Sequence, residues 1–479
     1  MSRRHVLLEA FGVASTVVAT AALGSRLSVA HASAVLDSAA SAGGSLPVPD
    51  LLSPMVHNGV KVFALEMAHG STRIRPGTES PTAGFNGAFL GPTLRIADGD
   101  RVRFEVTNRL GAPSTAHWHG LHVAPSHDGG PQTVIEPGAT WSPEFTVRQG
   151  QACTLWYHPH GLGVTAEQVS LGLAGMIIVD DGSAANAALP REYGVDDFPL
   201  IMQSTALSAS GVLASTYPDF DHGTPQFLVN GARATTDTPT LVTARNRVRL
   251  RPLNASLIDT ITVVRADGAA FTQVASDAGL LSEPRPITSL RLAPGERADI
   301  VIDLAAGHAV TLRATACTEE NIDRYTLAIL EIATTGTDAP AALPATLNAI
   351  TALDTGNARR RKITLGARAG ALTIDGVAGT SLRAMEDNML IVGLGATEVW
   401  DVVNTTAFFH VFHLHDVPFQ VRLPGTDLRW KDTVEVAPRT TVRIAMRFTD
   451  FTDRVYMYML HCHNLLHEDA GMMLGLMVT

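Results

Sequence analysis

The stretch "GPTLRIADGDRVRFEVTNRL", residues 91 to 110, decides how this chain folds. Val102, Phe104 and Val106 alternate with Arg101, Arg103 and Glu105. That period of two puts the apolar side chains on one face of a strand and the charged ones on the other. Similar short alternating segments, punctuated by proline and glycine, run along the whole chain, and long helical patterns are hard to find. The sequence therefore reads as all-β with few and short helices. The opening stretch also recurs, as "TPTLVTARNRVRLRPLNAS" at 238 to 256 and more faintly as "NMLIVGLGATEVWDVVNTT" at 388 to 406. A second element repeats with it: "EPGATWSPEFTV" from Glu136, "APGERADIVIDL" from Ala293 and "APRTTVRIAMRF" from Ala437. Each sets a turn-forming proline before an alternating strand. Three copies at a spacing of roughly 150 residues imply three β-sandwich domains of ordinary size. They are placed at 46–182, 195–335 and 361–479, with the small, polar, proline-containing stretch 336–360 as a linker between the second and third.

Composition narrows the class. Of 479 residues 46% are hydrophobic and 17% charged, which is globular. A net charge of -10 argues against a nucleic-acid partner. Residues 1–34 combine Arg3 and Arg4 with a small-residue apolar run and A-x-A sites ending at Ala32 and Ala34, the layout of a twin-arginine export signal. The uncharged part, Ala10 to Gly24, is short and rich in small residues for a membrane span. An exported protein is expected, in the periplasm, in the cell envelope or secreted, with no span in the mature chain. Cys153, Cys317 and Cys462 are too few for a disulfide framework, and Cys153 and Cys317 read as buried thiols.

Ten of the 18 histidines fall into four motifs. "HWHG" holds His117 and His119, "WYHPHG" holds His158 and His160, "HVFHLH" holds His410, His413 and His415, and "HCHNLLH" holds His461, His463 and His467. The first two lie in domain 1 and the others in domain 3. Residues i and i+2 of a strand share a face, so His461 and His463 point one way and Cys462 the other. His413 and His415 likewise oppose His410. One side thus collects His410 and Cys462, completed just past the strand by His467 and Met472, with Met473 the neighbouring alternative. Two His, one Cys and an axial Met form a blue-copper ligand set. The other side brings His413, His415, His461 and His463 toward the four histidines of domain 1. Eight imidazoles exceed what one metal takes, so they imply a multinuclear cluster between domains, suited to binding and reducing a small molecule such as oxygen. Met457, Met459 and Met477 read as core.

In type, order and spacing these motifs resemble the multicopper oxidases, most of all exported bacterial laccases and copper-tolerance oxidases. "LGPTLR", "HWHGLHV", "DGGPQ", "GLAGMIIVDD", "WKDTVEVAP" and "HEDAGMMLG" support the likeness, which spans essentially the whole mature chain. The resemblance implies three cupredoxin-like Greek-key domains holding four copper ions per chain. Type 1 copper would take His410, Cys462, His467 and Met472. Type 2 would take His117 and His413, and the type 3 pair His119, His158, His160, His415, His461 and His463. It further implies that a small-molecule reductant gives single electrons to type 1 copper through a partly exposed edge of His467. These cross from Cys462 to His461 or His463, and four of them reduce O2 to water. Asp128 in "HDGGPQ" and Glu468 in "HEDAGM" match family carboxylates that relay protons, the alternative being structural anchoring. His122 and His127 match no ligand position. All copper sites can be completed within one chain, and a monomer is expected.

The chain departs from copper-tolerance oxidases in lacking their Met- and His-rich insert early in domain 3. Its stretch "LTIDGVAGTSLRAMEDNMLIVGLG" has only Met385 and Met389, and Thr406 and Phe408, four and two residues before His410, do not suit Cu(I). Loss of the insert is expected to uncover the type 1 edge and to favour phenols and other aromatic reductants. Oxidation of Cu(I) or another metal ion is the second reading. A third is a non-catalytic exported scaffold or copper-binding protein, and the full ligand set speaks against it.

Overall fold

The computed structural model describes residues 44–234, 237–337 and 339–479, so the export signal expected at 1–34 lies outside the described residues. Each copy of the opening repeat folds as a strand that leaves one sheet and continues in another. Leu94–Ala97 belongs to a four-stranded sheet and Arg101–Asn108 to a six-stranded one. Thr240–Thr243 and Arg247–Asn254 divide in the same way between five- and seven-stranded sheets, and Leu390–Val392 and Thr397–Asn404 between five- and six-stranded sheets. The proline-led repeat pairs antiparallel with the second of these strands each time, as Glu144–Thr146, Ala298–Asp303 and Thr441–Arg447.

Alternation then builds three separate apolar cores. Phe63, Phe104 and Trp118 anchor the first, Phe198, Leu250 and Ile300 the second, and Trp400, Phe412 and Phe448 the third. Helices are short, and the longest among the described residues is Leu382–Asn388.

The repeats share a detail that periodicity does not reveal. Each crossing strand ends in a buried asparagine: Asn108, Asn254 and Asn404. Their side-chain amides donate to the carbonyls of Ile135, Leu292 and Val436 at 2.7, 2.9 and 2.9 Å, and to those of Ala112, Asp259 and Phe408 at 2.8 Å in all three. Each Oδ1 accepts from the backbone N–H two residues on, at Leu110, Ser256 and Thr406. The amide saturates the backbone groups that the ending ladder leaves unpaired, three times over with one geometry.

Candidate metal centres

In the third sandwich the strand His410–Leu414 pairs antiparallel with Tyr458–Cys462, His413 opposite His461 and Phe412 opposite Cys462. Directly opposed residues share a face, so the register itself separates the two ligand sets. In the first sandwich His117–His119 pairs with Cys153–His158, and His117 stands opposite His158. The two histidine-bearing sheets meet face to face. His119 stacks on His413 with ring centroids 3.7 Å apart, and His117 on His415 at 4.0 Å.

The eight imidazoles so gathered are each no more than 1% exposed. Most are held from behind. The Nδ1 atoms of His117, His158 and His413 each lie 2.8 Å from a backbone carbonyl, those of Asp128, Pro159 and Asp432. His415 Nδ1 is 2.7 Å from Asp128 Oδ2, His461 Nδ1 is 3.0 Å from Glu468 Oε2, and His119 Nε2 is 3.0 Å from Asp432 Oδ1. The remaining nitrogens are left open or lie against another imidazole. His117 Nε2, His119 Nδ1, His158 Nε2, His413 Nε2 and both nitrogens of His463 have no partner, while His160 Nε2 and His415 Nε2 lie 3.1 and 3.2 Å from His461 Nε2. Unsatisfied buried polar atoms are costly and rare, and a ring fixed through one nitrogen with the other left open is how metal-binding histidine is presented. Burial pushes His119, His158, His413, His415 and His463 well below the usual imidazole range and brings His160 to about 3, which keeps them in the neutral form that ligates. The donor set fits a metal cluster.

On the other face of the same strand, Cys462 Sγ lies 3.5 Å from His410 Nδ1 and 3.6 Å from His467 Nδ1. Burial alone would raise the thiol's pKa, but His410 and His467 bring it down to about 5, toward the thiolate that binds metal. The backbone N–H of Val411 also points at Sγ, at 3.5 Å. Met472 and Met473 separate cleanly. Met472 packs in the core that contains Cys462, whereas Met473 packs with Met385, Met457 and Met459. His467 departs from expectation. Its edge was expected to be partly exposed, yet it is only 2% exposed. The missing insert in the third sandwich does not uncover it because the middle sandwich supplies a cover. His467 Nε2 lies 2.9 Å from the Tyr217 hydroxyl and 3.1 Å from Glu319 Oε2, and Tyr217 itself is 39% exposed.

The family comparison agrees with this geometry. Two family models, each described as multicopper oxidase, match residues 66–184 and 343–479. The chain belongs to the multicopper oxidases. It is 32% identical over 446 residues to the multicopper oxidase mco of Staphylococcus aureus, covering 90% of this chain and 92% of that protein. It is 33% identical over 450 residues to the cell division protein FtsP of Dickeya dadantii, covering 89% and 90%. Among solved structures it resembles the laccase of Pediococcus acidilactici, with a TM-score of 0.81, 30% identity and coverage of 91% of this chain and 94% of that one. The three sandwiches are therefore cupredoxin-like, and the oxidase is an enzyme of a copper-binding family.

Sequence motifs did not single out several residues that frame the oxidase's two centres. Asp432, inside "WKDTVEVAP", touches His119 through Oδ1 and His413 through its carbonyl, and is itself gripped by Arg297 of the middle sandwich. Tyr217 and Glu319 are the others. No local signal marks Arg297 or Asp432, since Arg297 lies between Glu296 and Asp299 and Asp432 follows Lys431. Asp469 caps the helix Thr165–Ser170, its two oxygens accepting from the N–H groups of Thr165 and Ala166. His122 is buried between Asp416 at 2.7 Å and Asp450 at 3.0 Å, and His127 is half-buried against Phe145. All three cysteines are unpaired and buried.

Proposed function

We propose that this multicopper oxidase is laccase-like and couples one-electron oxidation of phenolic or other aromatic reductants to reduction of O2 to water. Type 1 copper would be held by His410, Cys462, His467 and Met472, type 2 by His117 and His413, and the type 3 pair by His119, His158, His463 and by His160, His415, His461. Bound there, copper would accept single electrons at the sulfur site and supply four-electron oxygen chemistry at the imidazole cluster.

The protein's own part follows from its contacts. Cys462 is bonded in sequence to His461 and followed by His463, so one short stretch of backbone joins the two sites. Asp128 holds His415 by its carboxylate and His117 by its carbonyl, and its Oδ1, 3.4 Å from His117 Nδ1, makes no hydrogen bond inside the buried site. Glu468 is 3.0 Å from His461 Nδ1 and 3.5 Å from His160 Nδ1. Both carboxylates can orient ligands and pass protons to a buried site. At the outer edge of His467, the Tyr217 hydroxyl and the Glu319 carboxylate already make the hydrogen-bonded arrangement that a phenolic reductant would form. Glu319 would accept the substrate's hydroxyl when that hydroxyl takes the place of Tyr217. This contact carries the substrate reading, together with Thr406, whose hydroxyl is spent on Asn404 and on His410 Nε2 at 3.1 Å. Thr406 and Phe408 offer no thioether or carboxylate for Cu(I).

The test compares oxygen uptake by the copper-loaded protein with a methoxyphenol and with Cu(I). Faster uptake with the phenol supports the proposal, and uptake with Cu(I) alone reverses the substrate order. No uptake with either would favour the non-catalytic reading, the Dickeya relative being a cell division protein by name.

A further inference from the structure

A cleft of about 670 Å3 lies between the second and third sandwiches, and none of the proposed metal ligands lines it. Five cationic side chains line it, and four are committed to carboxylates. Arg285 pairs with Asp427 at 2.6 Å, Arg291 with Glu435 at 2.9 Å, and Arg297 with Asp432 at 2.7 Å. Lys431 is shared between Asp277 at 2.8 Å and Glu296 at 3.0 Å. Arg429 is different. It is 7% exposed, meets no carboxylate at ion-pair distance among the described residues, and reaches only the backbone oxygen of Asp427, through Nε at 3.5 Å. Burial and then Arg285 depress its pKa, and the more distant carboxylates of Asp277, Asp427 and Glu296 offset this only in part. A guanidinium that lines a cleft without an ion-pair partner keeps its fork of N–H donors available, and that fork matches a planar oxyanion.

The rest of the cleft narrows the ligand. Leu423 and Ile287 are half-buried in its wall, while Leu290 and Leu292 turn into the core of the middle sandwich. One uncommitted positive charge suits a monoanion, whereas a phosphate dianion would also face Glu296 and Glu435, which line the same space. A volume of this size is that of a small-molecule site. We propose that this cleft binds a small organic carboxylate, whose oxygens pair with Arg429 and whose apolar body lies against Ile287 and Leu423. The site is separate from dioxygen and reductant chemistry and stands whatever the oxidase's natural substrate is.

Isothermal titration of the full, copper-loaded chain with benzoate, and separately with inorganic phosphate, tests it. One benzoate per chain should bind saturably, with phosphate weaker by about tenfold or more. Arg429→Gln should weaken benzoate by about tenfold or more while the thermal midpoint holds. Arg429→Lys should fall between, because it keeps the charge and loses the fork. Leu423→Glu, which places a carboxylate in the wall, should abolish binding even if the Arg429 variants fold poorly. Absence of saturation with benzoate at millimolar concentration, unchanged affinity in a folded Arg429→Gln protein, or phosphate binding as tight as benzoate would each overturn the proposal.

Discussion

Arg297 and Asp432 are joined by two parallel bonds of 2.7 Å, Nη1 to Oδ1 and Nη2 to Oδ2, with both side chains shielded from solvent. The same guanidinium donates through Nε to the Thr154 carbonyl of the first sandwich at 2.9 Å. One residue of the histidine-poor middle sandwich therefore ties the other two together directly behind His119 and His413. Replacing Arg297 by Gln leaves the Asp432 carboxylate buried and uncompensated, so a loss of ~3–5 kcal/mol in unfolding free energy is expected, read from denaturant midpoints. Copper retention at the imidazole cluster should fall with it. Arg297→Lys should recover only part, since an ammonium cannot reproduce the two-pronged contact.

Gly295 sits at φ +82° with its Cα against the ring of His463, and a Cβ there would stand 2.8 Å from Nδ1. Gly295→Ala therefore combines backbone strain with displacement of a proposed ligand. A destabilisation of ~1–3 kcal/mol is expected, with less cluster copper by metal analysis. Full copper content at wild-type stability would count against a tight role for this contact.

Tyr217 and Glu319 should act in opposite directions on phenol oxidation. Tyr217→Phe removes a hydroxyl that competes with the substrate for Glu319 and His467. Freeing a hydrogen bond worth ~1 kcal/mol should raise kcat/KM for a methoxyphenol about fivefold. Glu319→Gln removes the charged acceptor and should lower it by about tenfold to a hundredfold. An inorganic one-electron donor that needs no such hydrogen bond should be far less affected. Equal losses for both donors in both variants would contradict a docking role.

How far the chain could be read from its residues follows from where the information lies. Alternation is local, so Val102, Phe104 and Val106 and their counterparts marked the strands and their repeats. Parity is local too, and it separated Cys462 from His461 and His463 before any partner strand was known. It could not choose between Met472 and Met473, because the strand begins only at Met473, after Gly471 at φ +96°, and no strand parity carries through that turn. Contacts made by docking one sandwich on another leave no periodic trace. Arg297, Glu319 and Tyr217 were therefore invisible, and the burial of His467 ran against expectation, since its cover comes from a different sandwich than the missing insert. The three capping asparagines were present in each repeat, but their role depends on backbone groups that only the folded ladder leaves open.

The central claim is that electrons enter at a thiolate site on one face of the strand Tyr458–Cys462 and serve an imidazole cluster on the other. Cys462→Ser tests it most directly, because it deletes the thiolate and leaves all ten motif histidines in place. Measured together by visible absorption, copper content and oxygen uptake with a methoxyphenol, the variant should stay folded and lose one copper per chain. Its blue colour should disappear and its uptake should fall to background. A folded variant that keeps four coppers, or that still reduces oxygen at the wild-type rate, would contradict the account.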